Sequence, residues 1–310
     1  MAGKIVFLFG AGASKGARHI LPCDPPLGAE VYDRLAEHFP GQWGPSSRLG
    51  RYSEALRHDF EKTIFNEVCR WNPSLSILEW QRTMALYFAF FIPDSTGKDF
   101  YSRLLSFLQQ SGKIRSSIFA SLNYDCIFEQ AADKLELAVD YSCGETQVNA
   151  VQVLKIHGSC NFITVDIQKS APYYLTNPNS STNCRMHCLQ PIGIESVLKS
   201  RFSDANASYY PVMSLYSFGK NSIVAGVRIQ EIRNSWSECV SEASVVAVIG
   251  VRPNSEDTHI WNPIRQTSAK LFYIGSTRDF DIWVSANHHF KFLAKTFEEG
   301  FDNLLTSLDF

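Results

Sequence analysis

Three short stretches of the chain carry residues able to do chemistry. Gly10-Ala11-Gly12-Ala13-Ser14 presents small residues and closely spaced backbone N–H groups. Asn123-Tyr124-Asp125 presents an amide and a carboxylate, and His157-Gly158-Ser159 presents an imidazole. Small residues let a backbone turn sharply and approach a ligand closely. A buried strand that runs into such a turn sets N–H groups and the start of a helix against a phosphate. Imidazole is the side chain suited to exchanging a proton near neutral pH. Ile249-Gly250 and Ile274-Gly275-Ser276 add two further glycine exits from apolar runs.

Residue types alone leave blander readings open. A dinucleotide fingerprint has a third glycine three positions after the second, and that position is Lys15, with Gly16 next. No Gly-Lys-Ser/Thr follows, which excludes a P-loop. By itself the turn reads equally as an ordinary strand-to-helix connection. Asn123 and Asp125 read as helix caps, and His157 as a structural histidine. Their joint placement is what favours a site.

That placement depends on the elements around them. Ile5 to Phe9 is a short apolar run of the kind buried on both sheet faces. The runs Ser117–Leu122, Val151–Ile156, Ser244–Gly250 and Lys270–Ile274 read as further strands, the last of them closing the sheet. Helical periodicity appears at Val31, Leu35 and Phe39, and then across Tyr52 to Pro93 with a break at Asn72-Pro73-Ser74. It returns at Phe100, Leu104 and Leu108, at Ile127, Ala131 and Leu135, and at Ile229, Ile232, Trp236 and Val240. A further helix is expected from about Thr258 to Ser268, and one or two helices over Asn287 to Leu308.

Strands alternating with helices predict an α/β fold with a doubly wound, Rossmann-like parallel sheet. The chain is expected to form one catalytic domain over 1–310. A helical insertion is expected at about 30–112, and a polar, turn-rich excursion at about 166–222. In such sheets ligands bind at the carboxyl ends of the strands. The polar residues at those ends are Ser14, Asn123, Asp125, His157 and Ser276.

Composition excludes several classes. A net charge of −2 calls for neither nucleic acid nor an anionic membrane. The longest apolar stretch, Met84 to Ile92, is too short to span a bilayer. The first residues lack the cleavage pattern of a signal peptide. A cytoplasmic protein is therefore expected. The eight cysteines are scattered, as reduced thiols are. Cys184 and Cys188 form one close pair with no second, so no metal is expected. Aromatics at 13% and charges at only 19% point to surface covered by another subunit, or to a large core.

Gly10-Ala11-Gly12-Ala13-Ser14, Ser121-Leu122-Asn123-Tyr124-Asp125, His157-Gly158-Ser159 and Ile249-Gly250-Val251, in that order, resemble the signature of the sirtuin fold. More narrowly they are similar to the sirtuin-like NAD-cleaving domains of bacterial anti-phage defence systems. The resemblance spans residues 4 to about 280. It implies an NAD+ hydrolase that releases nicotinamide and ADP-ribose, an effector that depletes NAD+ when triggered. Gly10, Ala11, Gly12 and Ser14 would cradle the pyrophosphate and a ribose. Asn123 would hold the nicotinamide ribose or the attacking water, and Asp125 would face the carboxamide. His157 would be the general base. Gly250, Gly275 and Ser276 would line the adenosine end. Protein-deacylating sirtuins carry two close cysteine pairs, which this sequence lacks, so hydrolysis is expected over acyl removal. A deacylase or ADP-ribosyltransferase of the same fold, or a non-catalytic sensor of NAD or ADP-ribose, are the alternatives. Because no sensor domain is evident, a homo-oligomer or a separately encoded partner protein is expected to gate activity.

Overall fold

A computed structural model describes residues 3–64, 75–142, 150–165, 185–203, 209–214, 224–254, 257–284 and 290–308. β1 (Lys4–Phe9) runs into α1 (Ala11–Lys15). The two-residue strands β2 (Ile20–Leu21) and β3 (Ile92–Pro93) pair antiparallel. Between them lie α2 (Gly28–His38), α3 (Pro40–Trp43), α4 (Ser53–His58), α5 (Phe60–Thr63) and α6 (Leu75–Phe88). Next come α7 (Phe100–Gln110), β4 (Ser117–Ser121), α8 (Ile127–Lys134), β5 (Ala138–Asp140) and β6 (Ala150–Lys155). A second strand group follows: β7 (Gly158–Val165), β8 (Arg185–Cys188), α9 (Ile194–Ser203) and β9 (Pro211–Met213). The chain closes with α10 (Gly226–Ser241), β10 (Ala243–Ile249), α11 (Thr258–Gln266), β11 (Lys270–Ile274), α12 (Thr277–Val284), β12 (Phe290–Ala294) and α13 (Phe297–Leu308).

Seven strands form one sheet in the order β12-β11-β10-β1-β4-β6-β5, and every pair in it is parallel. The expected fold class, a doubly wound parallel sheet with a helical layer after the first strand, is the one found. Its physical basis is visible in β1. Ile5, Phe7 and Phe9 face one apolar core, with residues of α2, α7, α8 and α13. Val6 and Leu8 face the other, with Ile229, Ile232 and Trp236 of α10 and Ile260, Trp261 and Ile264 of α11. Alternate side chains leave a strand on opposite faces, so a strand buried on both must be apolar throughout.

Several expectations need correction. Asp59 is extended and separates α4 from α5, so the first helix expected from Tyr52 is already broken before the Asn72 break. The break expected at Asn72-Pro73-Ser74 lies outside the described residues. Pro93 does not end α6, which stops at Phe88; it pairs with Ile20 in β3. Strands do not alternate with helices throughout. At His157 the chain turns directly into β7, which pairs antiparallel with β8 and β9. Gly158 makes this possible with φ of +80°, and a Cβ there would lie 2.0 Å from the Val212 carbonyl oxygen. So part of the expected polar excursion is a small antiparallel sheet; Asn177 to Ser181 lie outside the described residues. The tail is not all helix either, because Phe290-Lys291-Phe292-Leu293-Ala294 pairs with β11 as the edge strand. Among the described residues no helix is long and apolar enough to cross a membrane.

Candidate active site

The chain leaves β1 for β4 on one side and returns through β10 on the other. The sheet's topological switch point therefore lies between β1 and β10, where ligands bind in open α/β sheets. Gly10, Ala11, Gly12 and Ser14 lie at the carboxyl end of β1, and Gly250 at that of β10. The two turns pack backbone against backbone. Gly10 N donates to the Ile249 carbonyl at 3.0 Å, and Gly12 N to the Gly250 carbonyl at 2.9 Å. A Cβ on Gly10 would lie 2.5 Å from the Gly250 oxygen. Gly250 has φ of +63°, and a Cβ on it would lie 2.0 Å from the Ala13 nitrogen.

These glycines are thus required by protein–protein contact inside the fold, before any ligand is considered. Ala13 N is likewise engaged, by the Gly10 carbonyl at 2.8 Å. Ala11 is exposed, and its N–H has no partner among the described residues.

Ser14 is the hub of this end of the sheet, although it is only 1% exposed. Its Oγ accepts from Asn123 Nδ2 at 2.9 Å and lies 3.2 Å from the Tyr101 hydroxyl of α7. Burial pushes the nearby Asp125 carboxyl up, while Lys155, the Ile127 N–H and Ser14 oppose the rise. Asn123 Nδ2 donates as well to the Gly10 carbonyl at 2.9 Å. A carbonyl only accepts, so this bond fixes which way the amide points. Asn123 is half-buried, with its Oδ1 turned away from both of these acceptors. The helical layer thus reaches the site through Tyr101.

Beneath Asn123 and Asp125 lies a buried ionic group. Lys155 Nζ donates to the Asp125 backbone carbonyl at 2.6 Å and stands 3.2 Å from Glu129 Oε1. Both side chains are 1% exposed. Burial pushes the Glu129 carboxyl up, with Lys155 opposing. Burial is the largest influence on Lys155 and lowers it, yet Glu129, Cys126 and Asp125 together hold it above its ordinary value.

His157 follows β6, two strands from β1 and beside β4. Its backbone carbonyl accepts from Ser214 N at 2.8 Å. The side chain is 3% exposed, more buried than a residue just past a strand end suggests. Its Nε2 lies 3.1 Å from Nε2 of His259, in the first turn of α11. Asp257, the residue before α11, is buried nearby. One donor atom from each of His157, Asp257 and His259 falls within 4.8 Å of the others. Arg233 of α10 faces Asp257; burial pushes the guanidinium down to about 10, with Asp257 and Tyr124 opposing.

The structure therefore brings Gly10, Gly12, Ser14, Asn123, Asp125 and Gly250 into one connected group, with His157 on the neighbouring strand. Gly275 is buried at the end of β11, where a Cβ would lie 2.7 Å from the Tyr273 hydroxyl; Ser276 is exposed. Sequence reasoning missed Tyr101, Lys155, Glu129, Asp257 and His259. Asp257-Thr258-His259 opens the helix after the Gly250 turn, so its position in the fold order was the available signal. The metal expectation was built on cysteines, whereas the donor group found is His157, Asp257 and His259. Cys184 lies outside the described residues, and Cys188 is an exposed free thiol on β8.

No protein-family model matches this chain. No curated protein matches it either. Among solved structures it is similar to a Sir2 variant with deacetylated p53 peptide and 3′-O-acetyl ADP-ribose. That likeness has 14% identity and a TM-score of 0.48, and covers 99% of this chain and 93% of that one. It is also similar to Sir2 in complex with an inhibitor, 2′-O-acetyl-ADP-ribose and deacetylated p53 peptide. There the identity is 13% and the TM-score 0.45, over 98% of this chain and 92% of that one. A third likeness is to Sir2Tm bound to a propionylated peptide, at 15% identity and a TM-score of 0.44, over 99% and 92% of the two chains. At these identities and scores the likeness assigns no chemistry to this chain.

Proposed function

We propose that this protein hydrolyses NAD+ at the bond between nicotinamide and ribose, releasing nicotinamide and ADP-ribose. The observation that carries the reading is the locked amide of Asn123. Gly10 and Ser14 hold its nitrogen, which leaves Oδ1 to place a ribose hydroxyl or a water. His157 stands on the adjacent strand as the group that takes the proton. The bond breaks through an oxocarbenium-like state, as in glycoside hydrolysis. Nicotinamide leaves without an acid, because its pyridinium nitrogen already carries the positive charge. In this reading Gly10, Ala11, Gly12 and Ser14 border the pyrophosphate and its ribose, and Asp125 faces the carboxamide. Gly250, Gly275 and Ser276 line the adenosine end.

The resemblance of the four motifs to NAD-cleaving domains of anti-phage defence supports a role as an effector that depletes NAD+. A hydrolase of that kind must be off by default. We infer that a homo-oligomer or a separately encoded partner gates it.

The test is incubation of the purified chain with NAD+, alone and with its genomic neighbour. Chromatography then follows nicotinamide, ADP-ribose and any acyl-ADP-ribose formed from an acylated peptide. Equal nicotinamide and ADP-ribose support hydrolysis. Acyl-ADP-ribose as the main product supports the deacylase instead, and unchanged NAD+ under every condition supports a sensor.

A further inference from the structure

His157 and His259 meet tip to tip. Their Nε2 atoms are 3.1 Å apart, while their ring centroids are 5.3 Å apart and the planes tilt by 55°. The contact therefore runs through the nitrogens, not through stacked faces. Asp257 brings a carboxylate oxygen to within 4.8 Å of both. Two imidazole nitrogens bound to one tetrahedral zinc at about 2.0–2.1 Å would lie roughly 3.3 Å apart. Two histidines and one carboxylate make a donor set suited to zinc, with the fourth ligand left to a water. The three donors come from two places in the fold, the β6–β7 junction and the start of α11, and drawing Asp257 inward would close them on an ion.

We infer that His157, His259 and Asp257 form a site for a divalent first-row cation, zinc above all, whose occupation silences the enzyme. The second half rests on the reading of His157 as general base. A metal bound at Nε2 takes the lone pair that the base needs, and removal of the metal returns it. Asp257 has two carboxylate oxygens, so it can serve the ion while still facing Arg233. The site is a regulatory one, distinct in donors from any cysteine-based zinc module.

The test uses the full chain, stripped with a chelator, dialysed, and titrated with zinc chloride by calorimetry in the absence of NAD+. A single zinc ion is expected per chain. Asp257→Asn and His259→Gln should each weaken its binding beyond the roughly 10–100-fold that loss of an outer partner costs. Cys188→Ser should leave it unchanged. Cobalt(II) in place of zinc should give the visible absorption of a four-coordinate ion in the parent chain and in neither ligand variant. Thermal melts on the same samples establish that the variants are folded; Asp257→Asn keeps the size of the side chain. Absence of zinc binding by the folded parent chain, or binding undiminished in both ligand variants, overturns the site, whatever the chain does to NAD+. Nicotinamide release that persists at saturating zinc overturns the silencing. Release that stops with zinc and returns with chelator is the expected result.

Discussion

Asn123 donates from Nδ2 to Ser14 Oγ at 2.9 Å, across 109 residues of sequence. The bond ties the end of β4 to the glycine turn after β1, and through Ser14 it reaches Tyr101 of the helical layer. Removing the hydroxyl should therefore loosen the amide and take a partner from the Tyr101 hydroxyl. Ser14→Ala is expected to lose about 1–3 kcal/mol of stability, the cost of a buried group left without its partner. Its nicotinamide release should fall at least tenfold, by the same order as that free energy. Tyr101→Phe removes one bond of the hub and should cost only about 0.5–1.5 kcal/mol. Denaturant melts and nicotinamide release on the two variants check both; a Tyr101→Phe protein more damaged than Ser14→Ala would contradict the hub.

Gly250→Ala should be more harmful than its single methyl group suggests. The residue is left-handed, with φ of +63°, and the methyl would strike the backbone of Gly12 and Ala13. The left-handed conformation alone costs an L-residue roughly 1–2 kcal/mol. Because the clash falls on the turn after β1, NAD+ affinity should drop together with melting temperature. A variant with parent-like melting and affinity would show that the two turns are not rigidly packed.

A pH prediction follows from Glu129. Burial raises its carboxyl above the ordinary range, so the folded chain holds a proton that the unfolded chain has released. Stability then falls as pH rises from the ordinary carboxylate range through the raised value. Glu129→Gln removes that slope. The melting temperature of the variant minus that of the parent should therefore increase from about pH 4 toward neutrality. A difference that shrinks over this interval would mean that Lys155 overrides burial.

Much of the sheet was legible because a strand buried on both faces must be apolar throughout. β1, β4, β6, β10 and β11 are mostly such runs, with Gln152 and Lys155 of β6 as buried exceptions. β5 and β12 were not legible: Ala138–Asp140 is too short for a period, and the pattern Phe-Lys-Phe at 290–292 is that of a half-covered edge. Gly10, Ser14, Asn123 and His157 were found from their places at strand ends. Asp257 and His259 were not, because they belong to the start of α11, and only the packing of α11 on the sheet sets His259 against His157. Lys155 and Glu129 were hidden for a different reason. A buried ion pair leaves no mark in hydrophobic period other than a lysine inside an apolar strand.

Assembly should control activity. Leu21 and Ile92, paired across β2 and β3, are 49% and 43% exposed, and the chain is poor in charge. Sedimentation of the purified chain, alone and with its partner, is expected to reveal an oligomer whose specific activity exceeds that of the monomer. A monomer with full activity at nanomolar concentration would remove the gating proposal.

The central claim is that His157 takes the proton while the glycine turn holds the nucleotide. Nicotinamide release, NAD+ affinity and melting temperature should be measured on the parent chain, Asn123→Ala and His157→Gln from matched preparations. Glutamine refills part of the space left by an imidazole that is 3% exposed. The account predicts that folded His157→Gln binds NAD+ within a few-fold of the parent yet releases nicotinamide about a hundred- to ten-thousandfold more slowly. Asn123→Ala should lose both turnover and affinity. Undiminished nicotinamide release by well-folded His157→Gln would contradict the account.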